Sequence, residues 1–305
     1  MHRPIPTAPA ASSAPKSAPG ELLLALDKLD AKATCAQGAL ELKAFLDAHG
    51  PSSLPIFVAV ILKNLRRSLS TQALQECVGA LASCATIYPG PFVALHLAKA
   101  VAAMAPLLGH KDVRGQHAVA DALGTMAAAC SCEPAVDSGP FGSTPGQRLA
   151  PFFCKLFALF AEPGREVQEG AAHAVCLVLK RAAPADAADS VPALIPKLLR
   201  VLGGGSSVGA TAHASLGALE AVLQTALGSV HAPLVVSHAT QIAACVARGL
   251  AAPDFRARRA AAETACPLLA ALAADDADEA SPSLAAACAS LRPALEKIRC
   301  RTALP

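Results

Sequence analysis

The sequence predicts an all-α protein, an α-solenoid of about six helix pairs. Three observations carry that expectation. The 305 residues are 53% hydrophobic but only 3% aromatic, with no Trp and one Tyr, so Ala and Leu supply most of the apolar share. Small residues and strong helix formers suit closely packed helices, whereas sheets favour β-branched and aromatic side chains. Apolar positions then recur at three- and four-residue spacing along most of the chain, the period of a one-sided helix. Finally, the helical stretches come in pairs at an irregular period of about 36 to 53 residues, which brackets the roughly 40 to 47 of HEAT and armadillo repeats.

The stretch 149–181, LAPFFCKLFALFAEPGREVQEGAAHAVCLVLKR, shows one pair most clearly. Phe152, Phe153, Leu156, Phe157 and Phe160 make one broad apolar face on its first helix. Pro163 and Gly164 break the pattern. Val167, Ala171, Ala174, Val175, Leu177 and Val178 line the buried side of the second helix, behind a polar first turn of Arg165, Glu166, Gln168 and Glu169. Such a pair cannot bury its apolar faces alone and needs a similar pair on each side.

In chain order the other pairs fall at 21–29 with 35–49, 54–66 with 71–87, and 92–108 with 113–130. After the 149–181 pair come 191–202 with 209–226, and 234–250 with 255–273. Ser68 and Ser70 are candidate N-caps for the helix at 71. The second helices share a pattern, small residues in the first two turns and bulkier aliphatics after, which lets the next pair approach closely. A segment at 283–300, interrupted by Pro293, reads as a cap or half repeat. The domain reading is a Pro/Ala/Ser tail over 1–20, a repeat domain over 21–300 with an inserted Pro/Gly/Ser-rich loop at 131–146, and a short tail over 301–305.

Several function classes find no support. The 11 cysteines are scattered and include no CxxC, so the chain offers no zinc-ribbon or thioredoxin motif; buried free thiols are expected. The nine histidines are spread out, so no metal or cofactor site is expected. Long uncharged stretches such as 221–247 are broken by Gln224, His231, Pro233, His238 and Gln241, too polar for a membrane span. Residues 205–209 match the letters of a nucleophile elbow, and 203–210 resemble a phosphate loop, but neither follows a strand and the second lacks the Walker lysine. Both read as a flexible turn, and no enzyme is expected. The acids Asp275, Asp276, Asp278 and Glu279 read as a solvated face.

The net charge is only +3, so the placement of charge carries more information than its sum. Stacked pairs put every inner turn on one long edge. Those turns hold Lys28 and Lys32, then Lys63, Arg66 and Arg67, then Lys111 and Arg114, then Arg165, then Arg256, Arg258 and Arg259. Acids there are fewer: Asp27, Asp30, Asp112, Glu162, Glu166 and Asp254. A cationic edge suits an acidic partner. Arg66, Arg67, Arg256 and Arg259 read as partner contacts, because a guanidinium can grip both oxygens of a carboxylate. Lys63, Lys111 and Arg165 complete the candidate contact set together with Arg114 and Arg258, for which the competing expectation is a structural rung to an Asp of the neighbouring repeat. Nucleic acid is not expected, because single-strand binding wants several aromatic stacking platforms and Phe255 is the only exposed-looking aromatic in the basic turns.

Four stretches carry a family resemblance: LLLALDKLDAKATCAQGALELKAFL at 22–46, KDVRGQHAVADALGTMA at 111–127, LFALFAEPGREVQEGAAHAVCLVL at 156–179 and APDFRARRAAAETACPLLA at 252–270. Across residues 21–298 the chain resembles the N-terminal helical-repeat domain of the Tortifolia/Spiral-type plant microtubule-associated proteins. The resemblance implies a curved HEAT-like array, similar to TOG domains, that binds tubulin or microtubules through its inner-turn edge and sits on the cytoskeleton in the cytoplasm. TOG domains often carry a Trp in the first inner turn; with no Trp here, contact with the lattice through charge is expected. The alternative is an armadillo-type adaptor that holds a protein or peptide on its concave, second-helix face.

Overall fold

The computed structural model describes residues 18–30, 33–67, 69–132, 148–162, 164–203, 212–274, 282 and 285–293. The chain is an all-α solenoid of helix pairs. Helices α1 (Ala18–Asp30) and α2 (Cys35–His49) form the first pair, and α3 (Leu54–Leu65) and α4 (Thr71–Ile87) the second. The third is α5 (Pro89–Leu95) and α6 (Leu97–Met104), then a 3-10 turn (Ala105–Gly109) and α7 (Val113–Cys132). Then come α8 (Ala150–Leu159) with α9 (Arg165–Arg181), α10 (Pro184–Gly203) with α11 (Ala212–Leu227), and α12 (Ala232–Leu250) with α13 (Phe255–Ala274). A last helix, α14 (285–293), buries Ala287, Cys288 and Leu291, and the Cys288 thiol lies 3.7 Å from the Leu268 carbonyl of α13.

Two layers result. The second helices α2, α4, α7, α9, α11 and α13 pack side by side in that order, and the first helices lie along the other layer. One core of Leu, Val, Ile, Ala and Phe runs through the stack from Leu22 to Leu291. The second-helix layer is tight where glycines let backbones meet. A Cβ on Gly170 of α9 would sit 2.3 Å from the Leu108 carbonyl oxygen, and one on Gly124 of α7 would sit 3.1 Å from Leu177 of α9. The helices of this layer run parallel: His117 of α7 lies against His173 of α9, and further along both helices Arg181 bonds Asp121. First helices begin on proline, with Pro55, Pro151, Pro184 and Pro233 in the first turns of α3, α8, α10 and α12, where a missing N–H costs nothing.

Three elements depart from the sequence reading. The helix expected over 92–108 is broken at His96, a buried residue whose ring packs against Phe92 at 6.2 Å, and it ends as a 3-10 turn once Pro106 removes a backbone donor. The fifth pair begins seven residues earlier than expected, at Pro184 rather than Val191, and α10 carries Pro192 and Pro196 in its interior. Helix α7 runs through Ser131 and Cys132, so the insertion starts later than position 131. Arg148 joins the chain ends flanking that insertion: its Nη1 lies 3.5 Å from the Ser131 carbonyl and 3.8 Å from the buried carboxylate of Asp186 in the first turn of α10. The terminal tails, Ser68, Pro163, the 203–210 motif beyond Gly203, the 275–279 acids and most of the 131–146 loop lie outside the described residues. Ser70 does cap α4, accepting from the Ala73 N–H at 3.2 Å.

Among the described residues no single helix is long and apolar enough to cross a membrane, and no group of three His, Cys, Asp or Glu is placed to hold a metal ion. Cys35, Cys77, Cys84, Cys130, Cys245 and Cys288 are buried as free thiols, and burial pushes Cys84 up to about 12. Cys154 and Cys266 are exposed. A maleimide reagent at neutral pH is expected to modify Cys154 and Cys266 while Cys84 stays unmodified until denaturant is added, as read by peptide mass mapping.

The glycines separate into two kinds that stability measurements can tell apart. Gly170→Ala is expected to lower unfolding free energy by about 1–3 kcal/mol, because the added methyl overpacks against the Leu108 backbone. Gly79 of α4 and Gly217 of α11 face open space. Gly79→Ala and Gly217→Ala are therefore expected to leave stability unchanged or raise it by up to about 1 kcal/mol in urea titration.

Candidate functional site

The inner turns before α4, α7, α9 and α13 fall on one edge, and interactions between repeats link them. Thr71 at the start of α4 donates its hydroxyl to the Asp112 carboxylate of the next inner turn at 2.8 Å. Gly109 of that turn abuts Val167 in the first turn of α9. Arg165, which opens α9, in turn feels the charge of Asp254 in the last inner turn. Because the second helices are parallel, the N-terminal ends of α4, α7, α9 and α13 share this edge, each carrying the partial positive charge of its unpaired N–H groups.

Two turns are built alike. Asp112 and Asp254 sit just before α7 and α13, and each accepts the N–H of the residue two further on, Arg114 at 2.9 Å and Arg256 at 3.1 Å. This is N-capping by a carboxylate. The residue between projects outward in both: Val113 is 57% exposed and Phe255 65%. The backbone N–H of Arg114, the Thr71 hydroxyl and nearby positive charge hold the Asp112 carboxyl below the usual carboxylate range.

This use of the aspartates decides what the arginines are free to do. Arg114 does not bond an Asp of the neighbouring repeat as expected; the rung between repeats is made by Asp112 itself, through Thr71. Arg258 makes no such rung either. Half-buried, it donates to the carbonyls of Ala252 and Pro253 at 2.9 and 2.6 Å and closes its own turn. Arg259 pairs with Glu263 one helical turn on, at 2.8 Å, and Arg165 pairs with Glu169 in the same way, at 2.6 Å. In the first repeat Lys28 bonds Glu41. Lys63, Arg66, Arg67, Lys111, Arg114 and Arg256 are exposed, and among the described residues none of the six makes an ion pair.

Sequence reading found the cations of the edge but counted Asp112 and Asp254 as charges that offset them. The structure shows both carboxylates turned to backbone N–H groups. It also adds Val113, which the sequence reading passed over because its place in the 3.6-residue period gave no sign of exposure. The edge can therefore offer guanidinium groups beside small apolar contacts, which suits an acidic protein surface. Among the described residues no group of three His, Cys, Asp or Glu is placed to hold a metal ion on it.

Replacing Asp112 by Ala is expected to lower the thermal midpoint, and Asp112→Asn, which still caps, to lower it less. The folded-state carboxyl titrates below its ordinary value, so its contribution is complete above pH about 4 and lost as pH falls through the folded value. The midpoint gap between parent and Asp112→Ala should be open at pH 5 to 7 and close as the pH falls below the ordinary carboxylate range.

A search of curated sequences finds no significant match. Two engineered proteins of known crystal structure are similar at low identity: one at 18% identity and TM-score 0.40, covering 82% of this chain and 97% of that one, the other also at 18% and 0.40, covering 92% and 68%. The model of the TORTIFOLIA1 N-terminal family matches residues 20–299, and the chain belongs to that family.

Proposed function

We propose that this protein is a non-catalytic microtubule-binding protein that docks on the acidic lattice surface through its inner-turn edge. Membership of the TORTIFOLIA1 N-terminal family supports a microtubule-associated role on the cytoskeleton. The observation that carries the reading is the N-capping of Asp112 and Asp254, which leaves Arg114 and Arg256 without carboxylate partners beside the exposed Val113 and Phe255. Arg66, Arg67, Lys63 and Lys111 extend the same sign along the edge. Arg165 and Arg259 add charge from within exposed pairs that a stronger acidic partner can open. Arg258 holds the turn in shape through the carbonyls of Ala252 and Pro253.

Binding of this kind weakens with salt, because exposed charges are screened over about 8–10 Å at ionic strengths near 0.1 M. Co-sedimentation with microtubules is expected at low salt and to decline as salt rises. The combined variant Arg66→Glu, Arg67→Glu, Arg114→Glu and Arg256→Glu is expected to lose at least tenfold in apparent affinity while its helical circular dichroism is unchanged. Arg200→Glu, on the first-helix layer, is the control and should pellet like the parent. Equal pelleting by the combined variant would refute the edge as the docking surface.

A further inference from the structure

Beyond the edge, the second-helix layer holds a groove of about 440 Å³ that crosses α7, α9 and α11 and opens toward the start of α13. Its floor is made of small residues, among them Ala214 and Gly217. One wall carries His117 and His173, whose rings lie 4.9 Å apart, and the others carry His213 and Arg256. The one acid lining it, Glu169, is bonded to Arg165. The groove thus presents hydrogen-bond donors and positive charge over an uncharged floor.

Gly217 marks it out further. Gly170, Gly38 and Gly249 each face a neighbour that a Cβ would strike at under 3.0 Å, so packing accounts for them. A Cβ on Gly217 would meet nothing within 4 Å, although a glycine inside a helix costs about 1 kcal/mol relative to alanine. Among the described residues no contact calls for that glycine, as none does for Gly79 of α4; Gly217 is the one that lies in this groove. What its missing side chain does is keep the groove floor low.

We propose that this groove receives the acidic tail of the tubulin on which the edge docks. Arg256 and the His117–His173 pair would take the tail's carboxylates, and Gly217 would leave room for its backbone. The proposal rests on the microtubule reading. Arg256 belongs to both surfaces, standing exposed at the last inner turn and lining the groove, so a chain rising from a surface under the edge meets the groove mouth first. Charge decides the occupant: a guanidinium holds a carboxylate by two parallel bonds, and each imidazole adds an N–H. A basic segment would face Arg256, and among the described lining residues the one carboxylate, Glu169, is already engaged.

Two readouts on the full chain test it: fluorescence anisotropy of a labelled, glutamate-rich synthetic tail peptide, and co-sedimentation with intact or protease-trimmed, tail-less microtubules. The parent is expected to bind the peptide at low salt and to pellet less on trimmed microtubules. Gly217→Leu fills the groove with a side chain that meets no protein atom at its Cβ, and unchanged helical circular dichroism checks that the fold is retained. It should lose peptide binding at least tenfold and pellet alike on both kinds of microtubule. Gly217→Ala should lose less, and His173→Ala should weaken peptide binding with normal circular dichroism. Arg66→Glu with Arg67→Glu should impair pelleting but keep the peptide. If Gly217→Leu binds the peptide like the parent, or the parent does not bind it, the groove assignment is overturned while the edge stands on its own pelleting data. If the parent binds the peptide but fails to pellet at all, the microtubule reading falls and takes the tubulin assignment of the groove with it.

Discussion

The close approach of parallel second helices is the constraint from which the rest of the molecule follows. Side chains must be small where backbones meet, so Gly170, Ala171 and Ala172 of α9, Ala212 and Ala218 of α11, and Ala257 and Ala261 of α13 face the neighbouring helices, and most of the bulkier core aliphatics follow further along. Parallel packing in one layer is electrostatically awkward, since it sets like helix ends side by side. It is tolerated because the ends reach solvent and because Ser70, Asp112 and Asp254 satisfy N–H groups there. The same arrangement concentrates positive potential along one margin while the whole chain stays nearly neutral.

Much of this was legible in the sequence where one helix is enough to explain it. Phe152, Phe153, Leu156 and Phe160 are buried on α8 as their spacing required, and Ala171, Ala174, Val175 and Val178 on α9 likewise. The helix pairs, their order and the cations of the edge came from periodicity and turn residues alone. What was not legible depends on contacts between repeats. Asp112 looks like any acid beside a basic residue until Thr71, 41 positions earlier, is seen to donate to it. Arg259 looked available until its rotamer brought it to Glu263. Gly170 and Gly217 are alike on paper, each a small residue in an alanine-rich helix; only the neighbouring backbone separates the packed one from the open one.

The departures in helix boundaries have the same origin. Helix α10 starts at Pro184, seven residues ahead of the expected boundary, and carries Pro192 and Pro196 in its interior. Proline is tolerated there because the helix buries Val191, Leu194, Ile195 and Leu198 against its neighbours, and that apolar face outweighs local propensity. The interruption at His96 belongs to the third pair alone and buries an imidazole whose Nε2 has no hydrogen-bond partner, which favours the neutral ring.

The contact of Arg148 with Asp186 and Ser131 has a bearing on how such a chain tolerates growth. By fastening the two rims of the insertion to the first turn of the following repeat, it fixes the register of the stack independently of what lies between. Closing a longer loop then adds only about 0.6 kcal/mol per doubling of its length. The third and fourth repeats are thus joined at a permissive splice point, where extra sequence can be grafted without shearing the array on either side.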